Sequence, residues 1–90
     1  MYIGNVGHVE RRRIVDETGI RYPLVAFTVT IQTPLRTRTV VVPMNERNIN
    51  VLKGAKIRQG MPVRVDGEII ASLGINGNLE LTMHLSYFQT

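Results

Sequence analysis

Three features of the sequence predict an all-β fold, a five-stranded barrel with one short helix between strands three and four. The first is alternation in "GMPVRVDGEII" (60–70), with Val63, Val65 and Gly67 on one parity and Arg64, Asp66 and Glu68 on the other. Period two is the mark of a half-buried strand. The second is a β-branched run, "TRTVVVPM" (37–44), of the kind enriched in sheets. The third is turn chemistry at intervals, in "DETG", "QTPLR" and "GINGN". An open sheet of five such strands leaves its apolar face in water, and closing it into a barrel buries that face.

The elements follow in order. "IGNVGHVERRRIV" (3–15) reads as a long first strand in which Gly4 and Gly7 permit a bend. "DETG" (16–19) is a turn that Asp opens and Gly closes. "YPLVAFTVTI" (22–31) is the second strand, with Val25, Phe27, Val29 and Ile31 on the apolar parity. "QTPLR" (32–36) holds a Pro-based turn, and the third strand at 37–44 runs until Pro43 ends its ladder. In "NERNINVLKGAKI" (45–57) the period changes. Asn45 or Asn48 serves as N-cap, and Ile49, Leu52 and then Ala55 or Lys56 follow at helical spacing. A helix of two or three turns within about 46–57 is expected. Gly60 and Pro62 feed strand four, about 61–73, and Gly67 inside it marks a bulge or sharp bend. "GINGN" (74–78) is an Asn-Gly hairpin turn. In strand five, 79–88, Leu79, Leu81, Met83, Leu85 and Tyr87 share the inward parity. Three strands, a short helix that plugs the barrel end and a final hairpin are the oligonucleotide/oligosaccharide-binding (OB) layout.

At ninety residues the chain is one domain, 1–90, with no repeat, low-complexity tract or linker. It has no Cys, which excludes disulfides and thiolate metal sites. "MYIGNVGHVE" lacks the basic-then-apolar layout of a signal peptide, and no apolar run approaches the ~20 residues of a membrane span. A cytoplasmic protein is expected. Net charge is +4 with a pI near 10.1. Nine of the eleven basic residues are Arg, three of them consecutive. Arg suits phosphate and stacks on bases, so the composition points toward nucleic acid.

The chain resembles the bacterial single-stranded DNA-binding proteins and their relative, the primosomal replication protein. The likeness rests on "YIGNVGHV", on "DETGIRYPLVAFTVTI" with Gly19 and Phe27 in place, on "TRTVVVP" and on "IRQGMPVRVDGEI". It implies an OB barrel with Gly67 in a bent strand four, single-stranded DNA as ligand, a role in replication, recombination or repair, and oligomers. Departures from the pattern accompany it. Thr37 and Pro43 stand at two positions where the family places stacking aromatics, and Gly74 lies near a third; Trp is absent. The loop between strands two and three is short, and an acidic tail after strand five is not expected. A compact accessory protein, of the primosomal type or carried on a mobile element, fits this better than long-tract coating with recruitment of replication proteins.

Single strands are held by a basic groove and by stacking worth ~1–3 kcal/mol per base. The basic candidates are Arg11, Arg12 and Arg13 before the first turn, Arg21 after it, Arg36 and Arg38 around the second, and Arg64 on the polar parity of strand four. Tyr22 beside Arg21 is the stacking candidate; Tyr2 and Phe88 lie near the termini. Phe27 and Tyr87 read as core. Such arginines also serve to keep strand edges soluble. Their clustering near the face of strands two and three, where OB folds bind ligands, favours binding. His8 and His84 have no Cys and no carboxylate at metal-motif spacing, and no nucleophilic triad or phosphate-binding glycine loop is present. A non-enzymatic protein without cofactor is expected. DNA is favoured over RNA, with an assembly-platform OB module or an RNA-binding OB domain as the alternatives. Self-association, as a dimer, follows from the small core.

Overall fold

The computed structural model describes residues 1–90. Its elements are β1 (Tyr2–Arg11), β2 (Ile14–Asp16), β3 (Gly19–Arg21), β4 (Leu24–Gln32), β5 (Thr37–Pro43), α1 (Glu46–Leu52), β6 (Pro62–Leu73) and β7 (Leu79–Gln89). Strands dominate, and five of them form one sheet. Its pairings run β1–β4–β5–β7–β6 and return to β1. All are antiparallel except β5 with β7, which meet through one parallel bridge, Val41–Thr82. The seam between β5 and β7 is therefore the thinnest link in the ring.

Alternation places the core. Phe27, Val29 and Ile31 of β4, Val40 and Val42 of β5, Val63 and Val65 of β6, and Met83 and Leu85 of β7 are all buried. Leu52 and Ile57 cover one end of this core. Each buried aliphatic side chain of this kind stabilises the fold by ~1.5–3 kcal/mol relative to exposure.

Three register shifts interrupt the pattern. Glu10 pairs with Ala26 but Arg11 with Leu24, so Val25 is an extra residue in β4, and Leu24 packs on the core where the alternation predicted Val25. On β1, Val6 pairs with Val29 but Val9 with Phe27, so one extra residue sits in β1 at Gly7–His8. The Thr28 hydroxyl satisfies this bulge by accepting from the His8 N–H at 2.8 Å. On β7, Asp66 pairs with Tyr87 but Gly67 with Leu85, so Ser86 is the extra residue. Gly67 permits this close approach: a Cβ there would lie 2.1 Å from the His84 carbonyl oxygen. The expectation of an irregularity at Gly67 is met, but the inserted residue lies on the partner strand.

That insertion corrects the reading of strand five. Beyond Ser86 the parity flips, so Tyr87 is exposed at 37% while Phe88, opposite Val65, turns inward. Phe88 packs edge-on against Phe27, with ring centroids 6.1 Å apart. At the other end of β7, Leu79 is 65% exposed although it keeps the inward parity. There the β6–β7 hairpin projects beyond the core as an arm.

One further expectation is corrected. The first strand is not continuous over 3–15: β1 stops at Arg11, and Ile14–Asp16 pairs with Gly19–Arg21 as a separate two-stranded hairpin. Arg12 leaves the main sheet while its N–H still bonds the Pro23 carbonyl at 3.1 Å. The helix, Glu46–Leu52, has the expected two turns and lies within 46–57. Asn45 is its N-cap, accepting from the Asn48 N–H, and Lys53 ends it in the left-handed region at φ 52°, followed by Gly54 at φ 76°. Ile49 is consequently half-exposed, and the inward side chains are Asn48 and Leu52.

Asn48 closes the seam that strand pairing leaves thin. Its side chain is fully buried. Its Nδ2 donates to the Pro43 carbonyl at 2.9 Å and the Met83 carbonyl at 3.1 Å, and its Oδ1 accepts from the Leu85 N–H at 2.8 Å. One amide thus joins the end of β5, α1 and the middle of β7.

Candidate nucleic-acid interface

The basic residues fall into two groups. The first surrounds the β2–β3 hairpin. Ile14 pairs with Arg21, and the Arg11 guanidinium donates to the Tyr22 carbonyl at 3.1 Å. Arg11, Arg12, Arg13 and Arg21 are thereby gathered, and all four are exposed. The Tyr22 ring beside them is 54% exposed. The hairpin is held by Asp16, whose carboxylate accepts from the Thr18 hydroxyl and the Thr18 N–H and pairs with the Arg21 guanidinium at 2.9 Å. The hydrogen bonds from Thr18 hold the Asp16 carboxyl below its ordinary range. The contact also occupies Arg21 with a carboxylate, which leaves Arg11, Arg12 and Arg13 as the less committed cations.

The second group is at the opposite end of β4. Thr33 organises the β4–β5 turn, its hydroxyl donating to the Arg36 carbonyl at 2.6 Å. Arg36 and Arg38 emerge from this turn and line an open cleft of about 450 Å³ at the β5–β7 seam. Thr37 and Thr39 add hydroxyls, and Leu79, Glu80 and Leu81 form the far wall. Arg38 has the inward parity of β5, paired with Ile31, so it sits half-buried at the mouth of the core. Arg38 and Leu81 also line a neighbouring groove of about 440 Å³ with Tyr2, Pro34, Leu35 and Ile69.

The two groups are not one patch. Arg11 pairs with Leu24 and Arg38 with Ile31, and seven residues of strand span about 23 Å. Arg64 belongs to neither group. It is exposed on β6 opposite Ile3 and lines a third surface cleft with Ile3, Pro62 and Gln89. Of the other aromatic candidates, Phe88 and Phe27 pack together within the core region and Tyr2 is half-buried. Tyr87 and Tyr22 are the two tyrosines that present substantial exposed area.

Glu80 is the residue that sequence reasoning missed. It joins Arg36 and Arg38 through the β5–β7 contact, which links residues about forty apart and has no local signal. Charge is also divided along the chain. From Val65 to Thr90 there are three carboxylates and no Lys or Arg, whereas the preceding residues carry all eleven cations. The basic surface therefore lies on β1 to β6, and the β6–β7 arm is acidic. No three His, Cys, Asp or Glu side chains converge as a metal site, and no helix is long and apolar enough to cross a membrane. No protein-family model, no curated protein and no solved structure matches the chain.

Proposed function

We propose that this chain is an OB-type single-stranded DNA-binding protein of replication, recombination or repair, with charge as the main source of affinity. The observation that carries the reading is the cleft at the β5–β7 seam. It has Arg36 and Arg38 on one wall and the hydroxyls of Thr37 and Thr39 between them, on the face where OB barrels take oligonucleotides. The basic hairpin with exposed Tyr22 supports a path along β4 from one Arg group to the other. A strand that follows this path meets phosphate-binding guanidinium groups at both ends and few stacking surfaces between. The resemblance to single-stranded DNA-binding and primosomal replication proteins agrees with this arrangement and with a cytoplasmic setting.

Fluorescence anisotropy with labelled dT, rU and duplex oligonucleotides over a salt series tests it. Each neutralised phosphate contributes ~0.7 to the slope of log K against log salt. Arg11, Arg13, Arg36 and Arg38 with one phosphate each give a slope of about −3. Arg36→Ala with Arg38→Ala flattens it by about 1.4. Tyr22→Ala weakens binding by at most ~1–3 kcal/mol and leaves the slope alone. Affinity that ignores salt, or a double variant that binds like wild type, removes the groove reading. Preference for rU favours an RNA-binding OB domain. Absence of binding favours a protein-assembly module, for which the exposed Leu73, Ile75 and Leu79 of the arm speak.

A further inference from the structure

The β6–β7 arm has an unprotected strand edge. β1 pairs with β6 only over Pro62–Val65, while β7 pairs with it up to Leu73. No loop or turn hydrogen bond reaches β6 between Gly67 and Leu73 on the side away from β7. The direction of the backbone groups follows from two bonds. At the turn, the Gly74 N–H bonds the Asn78 carbonyl, so Gly74, Ser72, Ile70 and Glu68 point their backbone groups toward β7. On β7, the Leu85 N–H and Met83 carbonyl point the other way, to Asn48, as the same phase requires. Ile69, Ala71 and Leu73 therefore direct their N–H and C=O groups to the free edge.

Proteins blunt such edges with charge, Pro or a covering segment. The free edge of β1 beyond Val6 carries His8, Glu10 and Arg11. The β6 edge has Glu68 near its start and then reads Ile69, Ile70, Ala71, Ser72 and Leu73, with no further charge and no Pro. Beside it lies a mainly apolar groove of Tyr2, Pro34, Leu35, Ile69 and Leu81, with Thr33 and Arg38 also in its lining and Leu35 90% exposed. At the tip, Leu73 and Ile75 are also uncovered.

We propose that this edge pairs antiparallel with the same edge of a second copy of the chain, across a two-fold axis at Ala71. An extended strand is the partner whose backbone matches a row of N–H and C=O groups, and an isologous contact closes as a dimer. With Ala71 opposite Ala71, each Ile69 faces Leu73 of the other copy, and all three outward-directed residues enter hydrogen-bonded pairs, about six bonds in total. Glu68 then falls opposite Gly74 rather than another carboxylate. Leu73 of the second copy lands beside Ile69, at the wall of the groove, and Ile75 is carried toward Met1 and Tyr2. Nucleic acid is the poorer occupant, because residues 65–90 carry three carboxylates and no cation. An edge of this length covers less than the ~800 Å² per partner of a standard interface, so the dimer is weak, with a dissociation constant in the micromolar range or above.

The test uses the whole chain without nucleic acid. Sedimentation equilibrium should show a monomer–dimer equilibrium, and Ala71→Pro should shift it to monomer at least tenfold in concentration. Pro at this position removes only an N–H directed away from β7, so far-UV circular dichroism and salt-dependent oligonucleotide binding should stay as in wild type. Hydrogen exchange followed from dilute to concentrated wild-type protein reads the same edge without substitution. The Ile69, Ala71 and Leu73 amides should gain protection with concentration, while those of Glu68, Ile70 and Ser72 are protected throughout. A monomer at all concentrations overturns the proposal, as does a dimer that forms without protecting those three amides. Protection of them by added dT in place of self-association transfers the edge to nucleic acid and overturns it as well.

Discussion

Replacing Asn48 by Ala removes three hydrogen bonds from one buried point. The Leu85 N–H loses its acceptor and the Met83 carbonyl its donor, whereas the Pro43 carbonyl keeps the Asn45 N–H at 3.0 Å. Each orphaned buried group costs about 1–3 kcal/mol. With the lost contact between α1 and β7, the sum is about 3–5 kcal/mol, a large share of the ~5–15 kcal/mol typical of whole domains. For a chain of this size the melting temperature should fall by roughly 15–30 °C. Urea denaturation monitored by circular dichroism should show the midpoint lowered by about 2–4 M with an unchanged slope. Asn48→Asp sharpens the argument. Ionised, that side chain cannot donate to either carbonyl, and burial favours its neutral form. Its folded-state pKa is therefore raised, and its penalty relative to wild type grows as pH rises from the unfolded-state value of about 3.9. If Asn48→Ala loses less than about 1 kcal/mol, or Asn48→Asp shows the same penalty at acid and neutral pH, this amide does not hold the seam.

Two other predictions concern backbone and pH. Gly67→Ala forces a Cβ to within 2.1 Å of the His84 carbonyl oxygen, so the bulge must rearrange at a cost of about 2–4 kcal/mol in urea denaturation; an unaltered midpoint shows that the strands part without strain. Asp16 is held below its ordinary pKa of 3.8 chiefly by the Thr18 hydroxyl and N–H. The stabilisation from this depressed carboxyl is present above the unfolded-state value and lost as pH falls through the folded one. Because Asp16 is exposed, the effect is local to the β2–β3 hairpin: amide shifts of Thr18 and Gly19 should titrate with a midpoint under 3.8, and a midpoint at or above that value contradicts the contact.

Much of the fold was legible because its causes are local. The parity of Phe27, Val29 and Ile31, the turn at Asp16–Gly19, an Asn cap at position 45 or 48 and the strand end at Pro43 each depend on residues within a few positions of one another. Local steric preference and period-two burial act over that range, so single-sequence patterns carry them. The basic candidates were legible too, as residue types. Their arrangement was not. Arg11 and Arg38 are separated by the length of β4, and Glu80 comes to line the same cleft as Arg36 and Arg38 only through the β5–β7 seam.

What the tertiary structure alone decided has one form: a partner distant in sequence. Tyr87 and Phe88 exchange faces because Ser86 is inserted opposite Gly67, nineteen positions away. Asn48, polar in a helix that reads as amphipathic, is drawn into the core because Met83 and Leu85, 35 and 37 residues on, offer backbone groups that strand pairing leaves unmatched. Burial makes an unpaired N–H or C=O expensive. The helix face therefore turns to the residue able to satisfy them, and Ile49 is left to solvent. The sequence by itself determined most of the strands, the faces of their central residues and the positive charge. Which of those faces survive a bulge, and which polar group closes the ring, depended on hydrogen bonds between segments that only folding brings together.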